Sequence, residues 1–300
     1  MSYKSKLVTF LLTIYFVWGS TFMAVKIALY KLPPLLISGL RFFIAGSVIL
    51  FILQFTKIPR PSKKQILNAM YIGVLLSGIG NCTYAYAINH VPSGLVALMG
   101  ATQPMWIFLL DRLFFGRSQA SLVSILGIIL GMVGMIYLMD PFSNMSTEID
   151  PKSAILIFVG SITWCYGSLK SSFMDMPKHY MYSIGYQLFF GGCFGLLSSL
   201  ALETHQVSSM MNVDTSTILS MAYLIIVGTF IGYSSYIWLI KNADPILVSS
   251  YAYINPIIAI LLGWYFLNES ITVRTTIASI LTLTSVILLT YSKKNVDQDV

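Results

Sequence analysis

Long apolar runs separated by short polar breaks dominate the chain. A helix needs about 20 apolar residues to cross the roughly 30 Å hydrocarbon core of a bilayer, and ten runs approach or reach that length: 7–27, 34–55, 66–88, 94–114, 120–139, 153–171, 181–201, 216–238, 246–266 and 273–291. Polar and aromatic residues recur along them at helical spacing. Lys4 and Lys6 precede the first run as in a secretory leader, but the apolar stretch continues through Trp18 to Val25 with no convincing small-x-small cleavage site, so it is read as the first span. The pattern predicts an all-α polytopic membrane protein of ten transmembrane helices, with most of the chain inside them.

The pattern also repeats. Residues 71–138 slid along by 152 positions superpose Tyr71 on Tyr223, Gly80 on Gly232, Tyr84 on Tyr236, Pro104 on Pro256 and Phe114 on Phe266. A slide of 146 nearer the front pairs Trp18, Gly39, Phe43 and Gly46 with Trp164, Gly185, Phe189 and Gly192. Five spans per half is an odd number, so the second copy enters the membrane from the face opposite the first. The expected organisation is a first five-helix repeat at 1–139, an inter-repeat loop at 140–152, a second repeat at 153–292 and a cytoplasmic tail at 293–300. Inverted repeats around a central cavity are an architecture of secondary transporters, which hold the substrate near the midplane between the halves.

Composition agrees: 56% of the 300 residues are hydrophobic and only 10% charged, against about a quarter charged in soluble domains. Loop Lys and Arg set the orientation. With the N-terminus inside, Lys4, Lys6, Lys57, Arg60, Lys63, Lys64, Arg112, Arg117, Lys170, Lys178, Lys241, Lys293 and Lys294 are cytoplasmic, while Lys26, Lys31, Lys152 and Arg274 lie on the other side. Both termini are therefore expected in the cytoplasm. This asymmetry and anionic inner-leaflet lipid account for the net charge of +7 without nucleic acid. Cys82, Cys165 and Cys193 lie in spans at no metal-ligand spacing and read as packing residues; neither metal nor cofactor is expected.

The acids fall in loops or at span ends, which argues against a carboxylate relay at depth, while sodium held by carbonyls and hydroxyls stays open. Arg41, two turns into the second span, has two readings: a clamp for a substrate carboxylate, or an arginine reaching to headgroups or to helix-end carbonyls near Pro33. Pro104 and Pro256 each follow an amide, Gln103 and Asn255, and are expected to kink their spans. Helical spacing groups Ser77, Asn81 and Tyr84; Thr229, Tyr233 and Tyr236; Gln103 and Trp106; Tyr251 and Asn255; Trp18 and Thr21; and Trp164 and Ser168. A pocket walled by these stripes is aromatic, hydrogen-bonding and nearly uncharged, which suits amphipathic solutes. Candidate substrate contacts are thus Trp18, Thr21, Arg41, Asn81, Tyr84, Gln103, Trp106, Trp164, Ser168, Tyr236, Tyr251 and Asn255. Several turns from its span ends, Tyr253 is read as an interior ring. The Gly127-x-x-x-Gly131 pattern, with Gly134 a turn on, favours packing within the chain over a dimer seam, so a monomer or weak homodimer is expected.

Three stretches carry a family likeness: Trp18-Gly19-Ser20-Thr21-Phe22, then Pro33-Pro34 followed by Arg41-Phe42-Phe43-Ile44-Ala45-Gly46, and Phe266-Leu267-Asn268-Glu269. In their order and duplication they resemble the EamA-type ten-helix members of the drug/metabolite transporter superfamily. The resemblance implies two inverted five-helix repeats, a central cavity, residence in a bacterial inner membrane, and export or exchange of amino acids and other amphipathic solutes. One position departs: the family pattern carries an acid where this chain has Arg117, while the second repeat keeps Glu269. Two other function classes fit less well. An intramembrane enzyme needs clustered catalytic groups at depth, whereas His90, His179 and His205 lie at span ends; a non-transporting sensor or scaffold needs an effector region that the spans leave little room for.

Overall fold

The computed structural model describes residues 3–116, 122–139, 150–204, 206–243, 248 and 251–298. Arg117, His205, most of the inter-repeat loop and the predicted start of the ninth span lie outside the described residues, as does the side chain of Tyr253. The chain is helical, with no strand among the described residues. Seven helices are long and apolar enough to cross a membrane: α1 (Tyr3–Ala28), α2 (Pro34–Gln54), α3 (Lys63–His90), α4 (Ser93–Phe115), α6 (Pro151–Ser171), α7 (Tyr180–Leu202) and α8, whose qualifying part is Thr215–Tyr236 within 215–242. The remaining spans, α5 (Leu122–Met139), α9 (Tyr251–Leu267) and α10 (Val273–Gln298), contain shorter apolar helices at Ile125–Leu138, Ile254–Leu267 and Val273–Leu288. Helix α10 runs on through residues expected to form a tail.

Side-chain capping sets many helix starts. Ser62 and Gln65 form a capping box at the start of α3. Asp214, at the position equivalent to Ser62 in the other half, caps α8 by accepting from the Thr217 amide at 2.8 Å. Asp150 does the same for α6. Glu203 accepts from the amides of Leu35 and Leu36 at the start of α2. Glu269 accepts from the Ser93 and Gly94 amides and the Ser93 hydroxyl at the start of α4. These carboxylates complete helix ends that hydrocarbon leaves without partners. Gly116 and Asn268, equivalent by the 152-residue slide, both take left-handed backbone (φ 67° and 54°) where α4 and α9 end.

Equivalent helices of the two halves pack in corresponding pairs. Helix α2 packs along α7, and α5 along α10; α1 lies against α8 and α9 as α6 lies against α3 and α4. Glycines bring α2 and α7 together: the Cβ missing at Gly46 would lie 2.3 Å from the Phe189 nitrogen, and that missing at Gly192 would lie 2.2 Å from the Phe43 nitrogen. Such closeness admits only hydrogen on Cα. The glycines of α5 also serve packing inside the chain: the Ser285 hydroxyl of α10 donates to the Gly127 carbonyl at 2.6 Å, and Gly131 and Gly134 face Ser285 and Thr282.

Three helices carry π-helical turns: Asp111–Phe115 ends α4, and two lie at equivalent places of the two halves, Val74–Gly80 in α3 and Leu224–Ile231 in α8. A π turn widens the helix and disturbs its carbonyl ladder. Side chains supply donors here: Asn81 Nδ2 to the Leu76 carbonyl at 3.0 Å, and Thr229 Oγ1 to the Leu224 carbonyl at 2.9 Å. Gly80 of the α3 turn lines the central cavity, and Thr229 of the α8 turn bonds to Arg41, which lines it too.

Candidate functional site

Between the halves lies a cavity of about 160 Å³ lined by α1, α2, α3, α4, α6, α8 and α9. Of the side chains predicted from sequence, Trp18, Thr21, Arg41, Asn81, Tyr84, Gln103, Trp164, Tyr251 and Asn255 line it, together with Pro256. Trp106, Ser168, Tyr236 and Pro104 do not. Trp106 packs on Phe158 with ring centroids 6.0 Å apart, and its buried Nε1 has no hydrogen-bond partner among the described residues. Tyr236 lies behind Trp18, its ring 4.9 Å away, and supports the wall instead of forming it. Ser168 falls on a part of α6 that the cavity does not reach. Helical spacing assigns each of these residues to a stripe but leaves open how far along the helix the cavity extends.

Arg41 is 8% exposed and turned inward. It is the eighth residue of α2, about 10 Å below the start of the helix, and its Nε donates to Thr229 Oγ1 at 2.9 Å. The reading that placed it among headgroups or helix-end carbonyls is therefore overturned: the inward rotamer is held by a hydroxyl on the π turn of α8. Among the described residues no carboxylate pairs with it. Its counterpart in the other half is Gln187, which donates to Ser183 Oγ at 2.8 Å, so one half alone brings a charge. Among the described residues Arg41 is the one charged side chain in a lining that is otherwise as uncharged as the stripes suggested.

Two tryptophans occupy equivalent places. Trp18 crosses Tyr251 edge to face at 5.2 Å and lies against Gly232, where an added Cβ would be 2.6 Å from Nε1. Trp164 lies against Gly80, 3.5 Å from where a Cβ would be. Tyr84 bonds to Ser161 Oγ at 2.7 Å and meets the Gln103 side chain. Hydrogen bonding assigns the Asn255 amide nitrogen to the carbonyls of Tyr251 and Tyr15, at 3.2 and 3.1 Å, which ties α9 to α1. Tyr233, present in a predicted stripe but not selected, lines the cavity and bonds to Ser77 across the two halves. Phe22, Phe42 and the small residues Gly80, Ala97, Gly100, Ala101, Gly160 and Ala252 complete the wall; glycine and alanine have no side-chain chemistry to signal such a role.

The prolines behave differently from each other. Pro256 sits inside α9. Pro104 does not interrupt a continuous helix: α4 stops at Gly100, turns through Ala101 and Thr102, and restarts at Gln103 with Pro104 in the first turn. A first-turn residue has no amide partner to lose, so the break belongs to the turn before the proline. Among the described residues no group of His, Cys, Asp and Glu has the arrangement to hold a metal ion.

Comparison with known proteins adds the lineage. An "Uncharacterized inner membrane transporter YedA" of Escherichia coli (strain K12) is 33% identical over 94% of this chain and 90% of its own. A "Probable amino-acid metabolite efflux pump" of Salmonella typhimurium is 26% identical over 85% of each chain. A solved crystal structure superposes with a TM-score of 0.65 at 18% identity, covering 98% of this chain and 99% of that one, a likeness of fold. Residues 5–139 and 151–291 each match the family described as EamA-like transporter family, and the chain, a membrane transporter built of two inverted five-helix repeats, belongs to that family.

Proposed function

We propose that the protein carries small amphipathic solutes with a carboxylate, amino acids foremost, out of the cell by alternating access, with both termini cytoplasmic. The observation that carries this reading is Arg41, a buried guanidinium facing a cavity in which no described carboxylate balances it. A cation at such depth costs about 2.5–3.5 kcal/mol on insertion scales, and an anionic group on the solute offsets that cost whenever the site is loaded. Nη1 and Nη2 are the groups suited to a bidentate carboxylate pair, since Nε is engaged by Thr229. The rings of Trp18, Tyr84, Trp164 and Tyr251 then receive the apolar body, and Gln103 and Asn81 offer polar contacts. The export direction draws support from the relatives named as efflux pumps, and the cytoplasmic termini from the Lys and Arg bias of the loops.

Proteoliposome counterflow with paired solutes, each carboxylate against its primary amide, tests the proposal. Charge-assisted hydrogen bonds contribute about 1.5–3 kcal/mol, so the acid is expected to outpace the amide by roughly 10- to 100-fold. Arg41→Met should erase that preference and Arg41→Lys retain part of it. Equal flux of acid and amide, or undiminished flux in Arg41→Met, refutes the assignment.

A further inference from the structure

Inverted repeats build every intramembrane crevice twice, once toward each face of the bilayer. The crevice between α1, α8 and α9 has its counterpart between α6, α3 and α4. In the second, the hydroxyls of Tyr166 and Tyr71 meet. Phe114 and Phe115 lie 6.2 and 6.3 Å from the Tyr166 ring, and Phe173 stacks on Phe115 at 4.9 Å. In the first, Ser20 stands where Tyr166 does and Tyr223 where Tyr71 does, and the same bridge is made, with the two hydroxyl oxygens 2.6 Å apart. The bridge survives while a phenol ring is replaced by a hydroxymethyl group. A cleft of about 630 Å³ is left open.

Its rim is exposed and apolar, with Phe16 and Leu219 more than 60% accessible, and its floor includes Ala24 and the bridged Ser20 and Tyr223. Ser20 Oγ also lies 2.6 and 2.9 Å from the carbonyls of Phe16 and Val17, so both hydroxyls find partners inside the protein. Water gains little at such a floor, and among the described residues Ser220 brings the one further side-chain hydroxyl to a lining that is otherwise apolar. The cleft lies along the C-terminal half of α1 and the N-terminal part of α8, both helices long and apolar enough to cross a membrane. An empty space of that size inside hydrocarbon forfeits dispersion contacts along all its walls.

We infer that this cleft is a seat for one acyl chain of a membrane phospholipid, which completes in one leaflet the packing that Tyr166, Phe114 and Phe115 provide in the other. The seated chain lies between α1 and α8, whose other faces reach the central cavity through Thr21 and Tyr233. Ser20 and Thr21 are neighbours on α1, so lipid and solute contact the same turn from opposite sides.

The test is photolabelling of the full-length protein in nanodiscs with a phosphatidylcholine carrying a mid-chain diazirine, read by peptide mass spectrometry. Labelling of residues 16–27 and 219–223 is expected to exceed that of residues 67–71 and 162–173 by about fivefold. Ser20→Tyr, which installs the residue of the other half, should remove the excess. Leu219→Trp fills the rim without touching the hydroxyl bridge and should do the same, with thermal melts confirming that each variant is folded. Even labelling of both crevices, or labelling unchanged in a folded variant, overturns the inference. So does displacement of the label by a transported solute, which makes the cleft a solute path. The readout is lipid contact, so failure of the Arg41 flux experiment leaves this result standing.

Discussion

Replacing Gly192 with alanine probes the seam on which the two-fold architecture depends. The added methyl would lie 2.2 Å from the Phe43 nitrogen, 2.5 Å from its Cα and 2.8 Å from the Phe42 carbonyl carbon. All three are backbone atoms of α2, so no rotamer change relieves the contact. Reaching ordinary van der Waals distance moves α2 from α7 by roughly 1 Å, a gap at which each affected atom pair loses a quarter to a half of its attraction. Overpacking of this kind costs about 1–3 kcal/mol, and the helix preference of alanine over glycine returns at most about 1 kcal/mol. The expected net loss is about 1–2 kcal/mol. Gly46→Ala, which meets the Phe189 backbone at 2.3 Å, should lose as much. Gly185→Ala is the internal control: its methyl meets the tips of Leu50 and Ile49 at 2.9 and 3.0 Å, and those side chains can rotate away. Its loss should stay within about 0.5 kcal/mol. Unfolding of the purified variants in mixed micelles, titrated with a denaturing detergent, gives the order directly. A Gly192→Ala protein as stable as wild type, or a Gly185→Ala protein that loses as much as Gly192→Ala, refutes the backbone-contact argument.

Three further outcomes follow from the site and its supports. Glu269→Gln turns an acceptor toward donor, exposing the amide of Ser93 or Gly94, and should cost about 1–3 kcal/mol in the same unfolding assay; an unchanged curve disproves the capping role. The Asp214 carboxyl is pushed down to about 2 by bonds from the Thr217 and Ser216 groups. Because its folded value is depressed, the stabilisation is complete above the ordinary carboxylate range and is lost as pH falls from about 4 toward 2. Melts of wild type and Asp214→Asn across that interval should converge at the acid end, and parallel curves contradict the assignment. Pro104→Ala should leave flux and folding nearly unchanged, since the chain has already turned at Ala101 and Thr102, whereas Pro256→Ala inside α9 should alter flux; equal effects in proteoliposomes argue against the distinction.

Much of the fold was legible because the bilayer constrains sequence strongly. Backbone groups in hydrocarbon must bond within their own segment, so run length yields spans and an odd span count yields inversion. The slide that pairs Tyr71 with Tyr223 carries over to three dimensions in the matched π turns and in the left-handed backbone of Gly116 and Asn268. The site was legible as a set of helix faces, which brought Trp18, Tyr84, Gln103, Trp164 and Asn255 to the cavity wall. Periodicity resolves angle around a helix but not depth along it, and Trp106, Ser168 and Tyr236 show the difference.

By itself the sequence determined the element type, the number of crossings, the duplication and the stripes, each following from local rules of hydrophobicity and helical period. Only the tertiary structure decided where Arg41 points, because its rotamer depends on Thr229, 188 residues away. It also decided that Pro104 begins a helix instead of bending one, and that exchanging a ring for a hydroxymethyl opens a cleft beside Ser20. These outcomes rest on which atoms meet across helices distant in the chain, and no local pattern encodes that.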